Sequence, residues 1–245
     1  NVVVIGGGNV AIDSARSIWR LGKKVTVVYR RDKYDMPANK DEIAEAEAEK
    51  INFHFLSAPR EILVDEKGRV KGLKIEIMER GSIDSSGRRR PVPTGKFKEI
   101  ACDSVVLAIG ERVDSEVFAK EGLQVAKDGR IRVHPFTFQT SLDKVFAGGD
   151  AVMGPATAAE AMGMGKRAAE SIDSILMNEK RFQLLSKEFE YKNAVPTDIK
   201  KSPKNAPSKL PVKDRIGNFH EVSAGYTGEQ ALNEVNRCLR CDVRI

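Results

Sequence analysis

Cysteine, histidine and aromatic residues are scarce in this sequence: three Cys, three His, one Trp, and 6% Phe, Tyr and Trp together in 245 residues. Three thiols in a chain this long exclude a disulfide scaffold. The two that lie close together, Cys238 and Cys241, point to thiol or metal chemistry in a reducing, cytoplasmic compartment. His54, His134 and His220 stand at no recognisable ligand or catalytic spacing and are read as structural or surface residues. Long apolar runs are also missing. None approaches the roughly 18 residues that cross a bilayer, so no membrane span is expected. Residues 1–20 have neither the charged start nor the small-residue cleavage site of a signal peptide. There is no initiator Met, and the opening directly on strand residues suggests a segment of a longer polypeptide. No repeat of solenoid period is visible.

Lys and Arg number 41 against 35 Asp and Glu, a net charge of +6 that invites a nucleic-acid reading until the excess is located. Segment 196–215, PTDIKKSPKNAPSKLPVKDR, carries six Lys/Arg against two Asp, so most of the excess sits there. It holds four of the ten prolines and no aromatic residue on which a base would stack. We read it as a solvated linker or a wrapping strap, and expect no nucleic-acid partner.

The first thirty residues read strand, glycine turn, helix, strand. Asn1–Ile5 is a β-branched run suited to a buried parallel strand. Val10, Ile12, Ala15, Ile18, Trp19 and Leu21 form an apolar helical face, Gly22 closes the helix, and Val25–Tyr29 is the second strand. Residues 38–50 form a charged helix with Asn39 or Asp41 near its start. Alternation over Ile51, Phe53 and Phe55, strand material at 59–66, and alternation again over Val70–Glu79 give a β-meander. Residues 80–96 read as a polar hairpin insertion with Arg88, Arg89 and Arg90 at its solvated tip. Asp103–Gly110 returns to a buried-strand pattern. Lys144–Gly149 is a further strand-like run, followed by a small-residue helix over 156–177 and a last helix that starts near Gly228.

Gly6-x-Gly8-x-x-Ala11 lies between the first strand and the first helix, where each position has its own requirement. Gly6 permits the tight turn, Gly8 lets backbone approach a pyrophosphate, and Ala11 lets helix and strand pack closely. The helix N-terminus then meets the phosphates with free N–H groups and a positive dipole end. At the end of the second strand an NAD site places Asp or Glu, roughly 20 residues on from the glycines, to hold the ribose 2′-hydroxyl. Here Tyr29-Arg30-Arg31 occupies that place, and guanidinium groups pair with a 2′-phosphate, so NADP(H) is favoured. Gly148-Gly149-Asp150 suits a second nucleotide site, with Asp150 toward sugar hydroxyls and N–H groups near Thr157 and Ala158 toward a flavin ring; a plain helix cap at Asp150 is the alternative. Cys102 reads as a buried small hydrophobe. Cys238-x-x-Cys241 offers two of the four ligands of a metal or cluster, or a redox disulfide.

These segments together resemble the small (β) subunit of glutamate synthase and its flavin-dependent relatives within the pyridine nucleotide–disulfide oxidoreductases. The matching stretches are GGGNVAIDSARS at 6–17, YRRD at 29–32, MPA at 36–38, RRRPVP at 88–93, DSVVLAIG at 103–110, FQTSLDKVFAGGDAVMG at 138–154 and GKRAAESI at 165–172. The resemblance implies an α/β fold: a Rossmann-like NADP-binding domain over 1–113, three-layered with a parallel sheet and a β-meander, then the C-terminal part of a discontinuous FAD-binding domain over 114–180. Residues 181–245 would be an extended tail with a C-terminal CxxC helix. It assigns Gly6, Gly7, Gly8, Asn9 and Val10 to the NADP pyrophosphate, Arg30 and Arg31 to the 2′-phosphate, Ile109 and Gly110 to further nucleotide contact, and Gly149, Asp150, Thr157 and Ala158 to FAD. It implies electron input from NADPH through FAD to iron–sulfur clusters; the tail with RCLRCD at 237–242 resembles cysteine-containing stretches of multi-subunit flavin-linked oxidoreductases, in which Cys238 and Cys241 would ligate a 4Fe–4S cluster shared with another segment or a partner, the alternatives being another metal or an idle pair. The partner is a redox subunit, large glutamate synthase-like or ferredoxin-linked, and no acid–base catalytic residue is expected. The FAD fingerprint of such enzymes would lie upstream of Asn1, leaving this segment inactive alone. The alternative is a non-catalytic nucleotide-binding or assembly module.

Overall fold

The computed structural model describes residues 1–84, 86–177 and 202–238. They fall into two units: Asn1–Ile109 together with Val195–Ile245, and Gly110–Ala194. The described part of the tail groups with the first unit.

The first unit is built on a four-stranded parallel sheet in the order β3-β2-β1-β7: β1 Val2–Ile5, β2 Val25–Val28, β3 Asn52–His54 and β7 Ser104–Leu107. Its second sheet is antiparallel, in the order β4-β5-β6: β4 Ser57–Val64, β5 Val70–Ile83 and β6 Arg89–Ala101. The alternation of β1 explains the layering. Val4 packs with Ile12, Ala15 and Val27 on the side of the helices α1 (Asn9–Arg20) and α2 (Lys40–Ala48). Val3 and Ile5 point the other way, onto Leu73, Ile75 and Cys102 of the meander. Both faces of the central strands are thus covered, as an unbroken β-branched run requires. The result is the expected three-layer α/β arrangement.

Helix α1 meets the sheet through Ala11, Ile12 and Ala15, the two alanines setting the closest approach. Full burial of Ile12 contributes about 1.5–3 kcal/mol. Val10 and Leu21, expected on the apolar face, are exposed, and Arg16 is buried in their stead. Gly22, at φ +75°, ends the helix in the left-handed region. On α2 the cap is Asn39, whose side chain accepts from the Asp41 N–H at 3.0 Å.

Residues 80–83 and 89–96 continue β5 and β6, so the expected hairpin is the far end of the long β5–β6 ladder and not a separate insertion. Pro91 and Pro93 fit there because β6 is an edge strand, where a missing N–H costs no ladder bond. Strand β7 is the other sheet's edge and is half-exposed where a buried strand was expected.

The basic tail wraps onto the first unit as a strap. Arg215 is buried against Glu45 and Glu49 of the α2 region, and Lys209 also pairs with Glu45. The Gly217 N–H donates to the Arg20 carbonyl at 2.7 Å. Helix α6, Gly228–Asn236, follows, with a capping box between Thr227 and Gln230.

The second unit contains α3 Glu116–Lys120, α4 Asp150–Met153 and α5 Ala158–Leu176. The run Lys144–Gly149 forms one bridge, Gln139 to Phe146, where a strand was expected. A strand needs neighbours along its length, and among the described residues this one has none beyond that bridge.

Candidate functional site

At the C-terminal end of β1 the chain must turn sharply into α1, and the glycines divide the work. A side chain on Gly6, at φ +149°, would run into the Ala108 carbonyl, and Ala11 closes the other side. One on Gly7 would strike the Tyr29 ring. Gly8 differs: a Cβ there meets nothing within 4 Å, so the space above it is open. Gly8 is the N-cap of α1 and supplies no side-chain hydrogen bond, and the first turn holds no acidic residue. The N–H groups of Asn9 and Val10 have no partner among the described residues. A helix N-terminus left open in this way is a place for an anion. The Asn9 side-chain oxygen accepts from the Asn39 N–H at 2.8 Å, which ties the start of α1 to the residue that caps α2.

Strand pairing brings the end of β2 beside this turn, Ile5 facing Val28, and the residues that follow diverge. Arg30 is exposed and, among the described residues, in no ion pair. Arg31 is buried, its Nη2 on Asp84 at 2.8 Å and its Nη1 on the Arg89 carbonyl at 2.9 Å. This corrects the expectation that both guanidinium groups face a 2′-phosphate. Arg31 is committed to the hairpin tip. Asp32, the next residue along, is paired with Arg80. Hydrogen bonds from Ser86 and Arg31 hold the Asp84 carboxyl well below the usual carboxylate range. Burial pushes the Tyr29 phenol up, against the opposing charges of Arg88 and Arg31, and its hydroxyl donates to the Asp35 carbonyl at 2.8 Å. Past β7, Ile109 is exposed and Gly110 has φ +89°.

In the second unit Gly149, at φ +67°, precedes α4, and Asp150 is exposed in its first turn. Gly148 and Gly149 lie against Met164 and Ala161 of α5. The Thr157 N–H donates to the Glu160 carboxylate at 2.9 Å, and that carboxylate also takes the Thr157 hydroxyl. Thr157 is therefore spent in a capping box and is corrected as a backbone donor to a flavin; the Ala158 N–H has no partner among the described residues. Cys238 is exposed and Cys241 lies outside the described residues; no group of three or more metal-binding side chains occurs among those described. None of the described helices is long and apolar enough to cross a membrane.

A profile of the pyridine nucleotide-disulphide oxidoreductases matches residues 1–165. The chain belongs to that family. It is 41% identical over 251 residues to the NADP(+)-dependent formate dehydrogenase subunit beta of Moorella thermoacetica, covering 98% of this chain and 35% of that protein. It is 38% identical over 177 residues to the glutamate synthase [NADPH] small chain of Escherichia coli, covering 70% of this chain and 38% of that one. The chain thus spans little more than a third of either relative. Among solved structures, T. acidophilum thioredoxin reductase superposes with a TM-score of 0.60 at 28% identity, over 72% of this chain and 52% of that one.

Oxidoreductases of this family bind a pyridine nucleotide and FAD. The first unit fits the nucleotide: two glycines that admit no side chain, an open third and an uncapped helix end form a cradle for a pyrophosphate. The second unit fits FAD through a smaller set, the exposed Asp150 and the free Ala158 N–H. Sequence reasoning missed that the hairpin tip packs against the end of β2. Its one visible signal was the charge density of RRRP at 88–91.

Proposed function

We propose that this oxidoreductase chain is the NADPH-facing electron-input module of a flavin enzyme that works with a partner redox subunit. The observation that carries this reading is the open, uncapped helix end above Gly8, beside a β2 terminus that presents Arg30 where an NAD site needs a carboxylate. FAD bound here would supply hydride acceptance from NADPH and electron release toward iron–sulfur centres. The chain binds and orients. Gly6, Gly7, Gly8 and the N–H groups of Asn9 and Val10 hold the pyrophosphate, with Ile109 and Gly110 along the nucleotide. Arg30 meets the 2′-phosphate, while Gly149, Asp150 and Ala158 face FAD. Hydride passage between two cofactors calls for no side-chain acid or base. Cys238 and Cys241 offer two thiolates to a 4Fe–4S cluster completed by another segment or subunit. The relatives' names differ in the second redox reaction, formate dehydrogenation with NADP(+) in one and glutamate synthesis with NADPH in the other, so we assign that second reaction to the partner.

Calorimetric titration is expected to show NADPH binding tighter than NADH by about tenfold or more, which is about 1.4 kcal/mol. In the full-length protein, anaerobic NADPH is expected to bleach the visible flavin absorbance. Equal affinities would remove the NADPH preference. A flavin left unbleached would leave a nucleotide-binding assembly module.

A further inference from the structure

The turn between β5 and β6 folds back onto the end of β2 through four contacts. Arg31 holds both Asp84 and the Arg89 carbonyl, the Arg89 N–H donates to Asp35 at 3.2 Å, and Arg80 pairs with Asp32. Asp84 also organises the turn from within, its other oxygen accepting the Ser86 N–H at 2.9 Å and the Arg88 N–H at 3.3 Å. The docked turn sets Arg88, half-buried, beside Tyr29, with its Nε on the Ser86 hydroxyl at 3.0 Å. Tyr29 in turn lies under Gly7 of the glycine turn and immediately precedes Arg30. Two of the arginines here, Arg31 and Arg80, are neutralised by carboxylates. Among the described residues Arg30 and Arg88 are in no ion pair, so positive charge is left at the place where a dinucleotide's adenosine ribose lies.

Building on the NADPH reading, we propose that the β5–β6 turn is the specificity element of the nucleotide site. Arg88, with Arg30, contacts the 2′-phosphate, and Arg31 is a positioning residue that docks the turn through Asp84. An arginine held by a second hydrogen bond, as Arg88 is by Ser86, arrives with its guanidinium already oriented, which favours bidentate phosphate pairing.

Two substitutions test this by calorimetric titration with NADPH and NADH. Arg88→Gln is expected to weaken NADPH by about tenfold or more, leaving NADH and the unfolding temperature unchanged. Asp84→Asn separates docking from simple electrostatics. Loss of a negative charge near a phosphate site tightens NADPH if charge alone matters, whereas loss of the dock weakens NADPH and spares NADH. An unchanged NADPH-to-NADH ratio in Arg88→Gln, or equal weakening of both nucleotides, overturns the role of Arg88. Tighter NADPH binding by Asp84→Asn overturns the docking role of Arg31. Failure of the unsubstituted protein to bind either nucleotide would instead reject the underlying NADPH reading.

Discussion

Gly6→Val is expected to abolish nucleotide binding and to lower stability by roughly 2–6 kcal/mol, from backbone strain and overpacking together. The new side chain has nowhere to go. On one side stands the Ala108 carbonyl, part of the rigid backbone beside β7, and on the other the Ala11 methyl that lets α1 sit close on β1. The φ of +149° adds strain that a β-branched residue tolerates worst. The Ala108 N–H also donates to the Ile5 carbonyl at 2.8 Å, so displacing Ala108 disturbs the β1–β7 junction itself. Urea denaturation and NADPH titration of the same preparation check both effects. A protein of native stability that still binds NADPH would mean that the turn is looser than its packing implies.

Glu49→Ala is expected to cost about 3–5 kcal/mol, the range for removing one partner of a buried ion pair. Glu49 is completely buried and accepts from Arg16 Nε and Nη2 at 2.9 and 2.8 Å and from Arg215 Nη1 at 2.9 Å. Without it two buried guanidinium groups lose their shared carboxylate, and the tail is held to α2 only through the pairs of Arg215 and Lys209 with Glu45. Denaturant midpoints measure the loss, and limited proteolysis should cut the loosened strap sooner. The pH dependence follows from the same contacts. Burial opposes the charge on Glu49, but the hydrogen bonds and charges of Arg16 and Arg215 outweigh it, and the carboxyl stays below its ordinary value. A depressed folded pKa gives stability that is fully present above the unfolded carboxylate value, about 4.3. It is lost as pH falls through the folded one. Glu49→Gln should flatten that acid loss; an unaltered acid profile would remove Glu49 from the explanation.

What was legible in the sequence was local. The strand, glycine turn, helix and second strand over residues 1–28 follow from β-branched runs, glycines at fixed spacing and a helical apolar stripe, all short-range signals. What escaped was long-range. Arg31 meets a carboxylate 53 residues away, and Arg16 one 33 residues away, so no motif around either residue announces its burial. The turn at 84–88 looked like a solvated tip because its composition is polar, yet its Asp84 pairs with Arg31 at the end of β2, as the nearby Arg80 of β5 pairs with Asp32. Thr157 is a different case. Thr157-Ala158-Ala159-Glu160 is a readable capping-box pattern, and weighing it would have shown the Thr157 N–H already satisfied.

The most direct test of the pyrophosphate cradle is NADPH affinity in Gly8→Ala. Gly8 has φ −88° and ψ 177°, which alanine adopts freely, and its Cβ would enter open space, so the fold is expected to keep its unfolding temperature. If phosphate oxygens occupy that space, the methyl group excludes them, and NADPH should bind about tenfold or more weakly. Unchanged NADPH affinity in a folded Gly8→Ala protein would contradict the placement of the nucleotide on this turn.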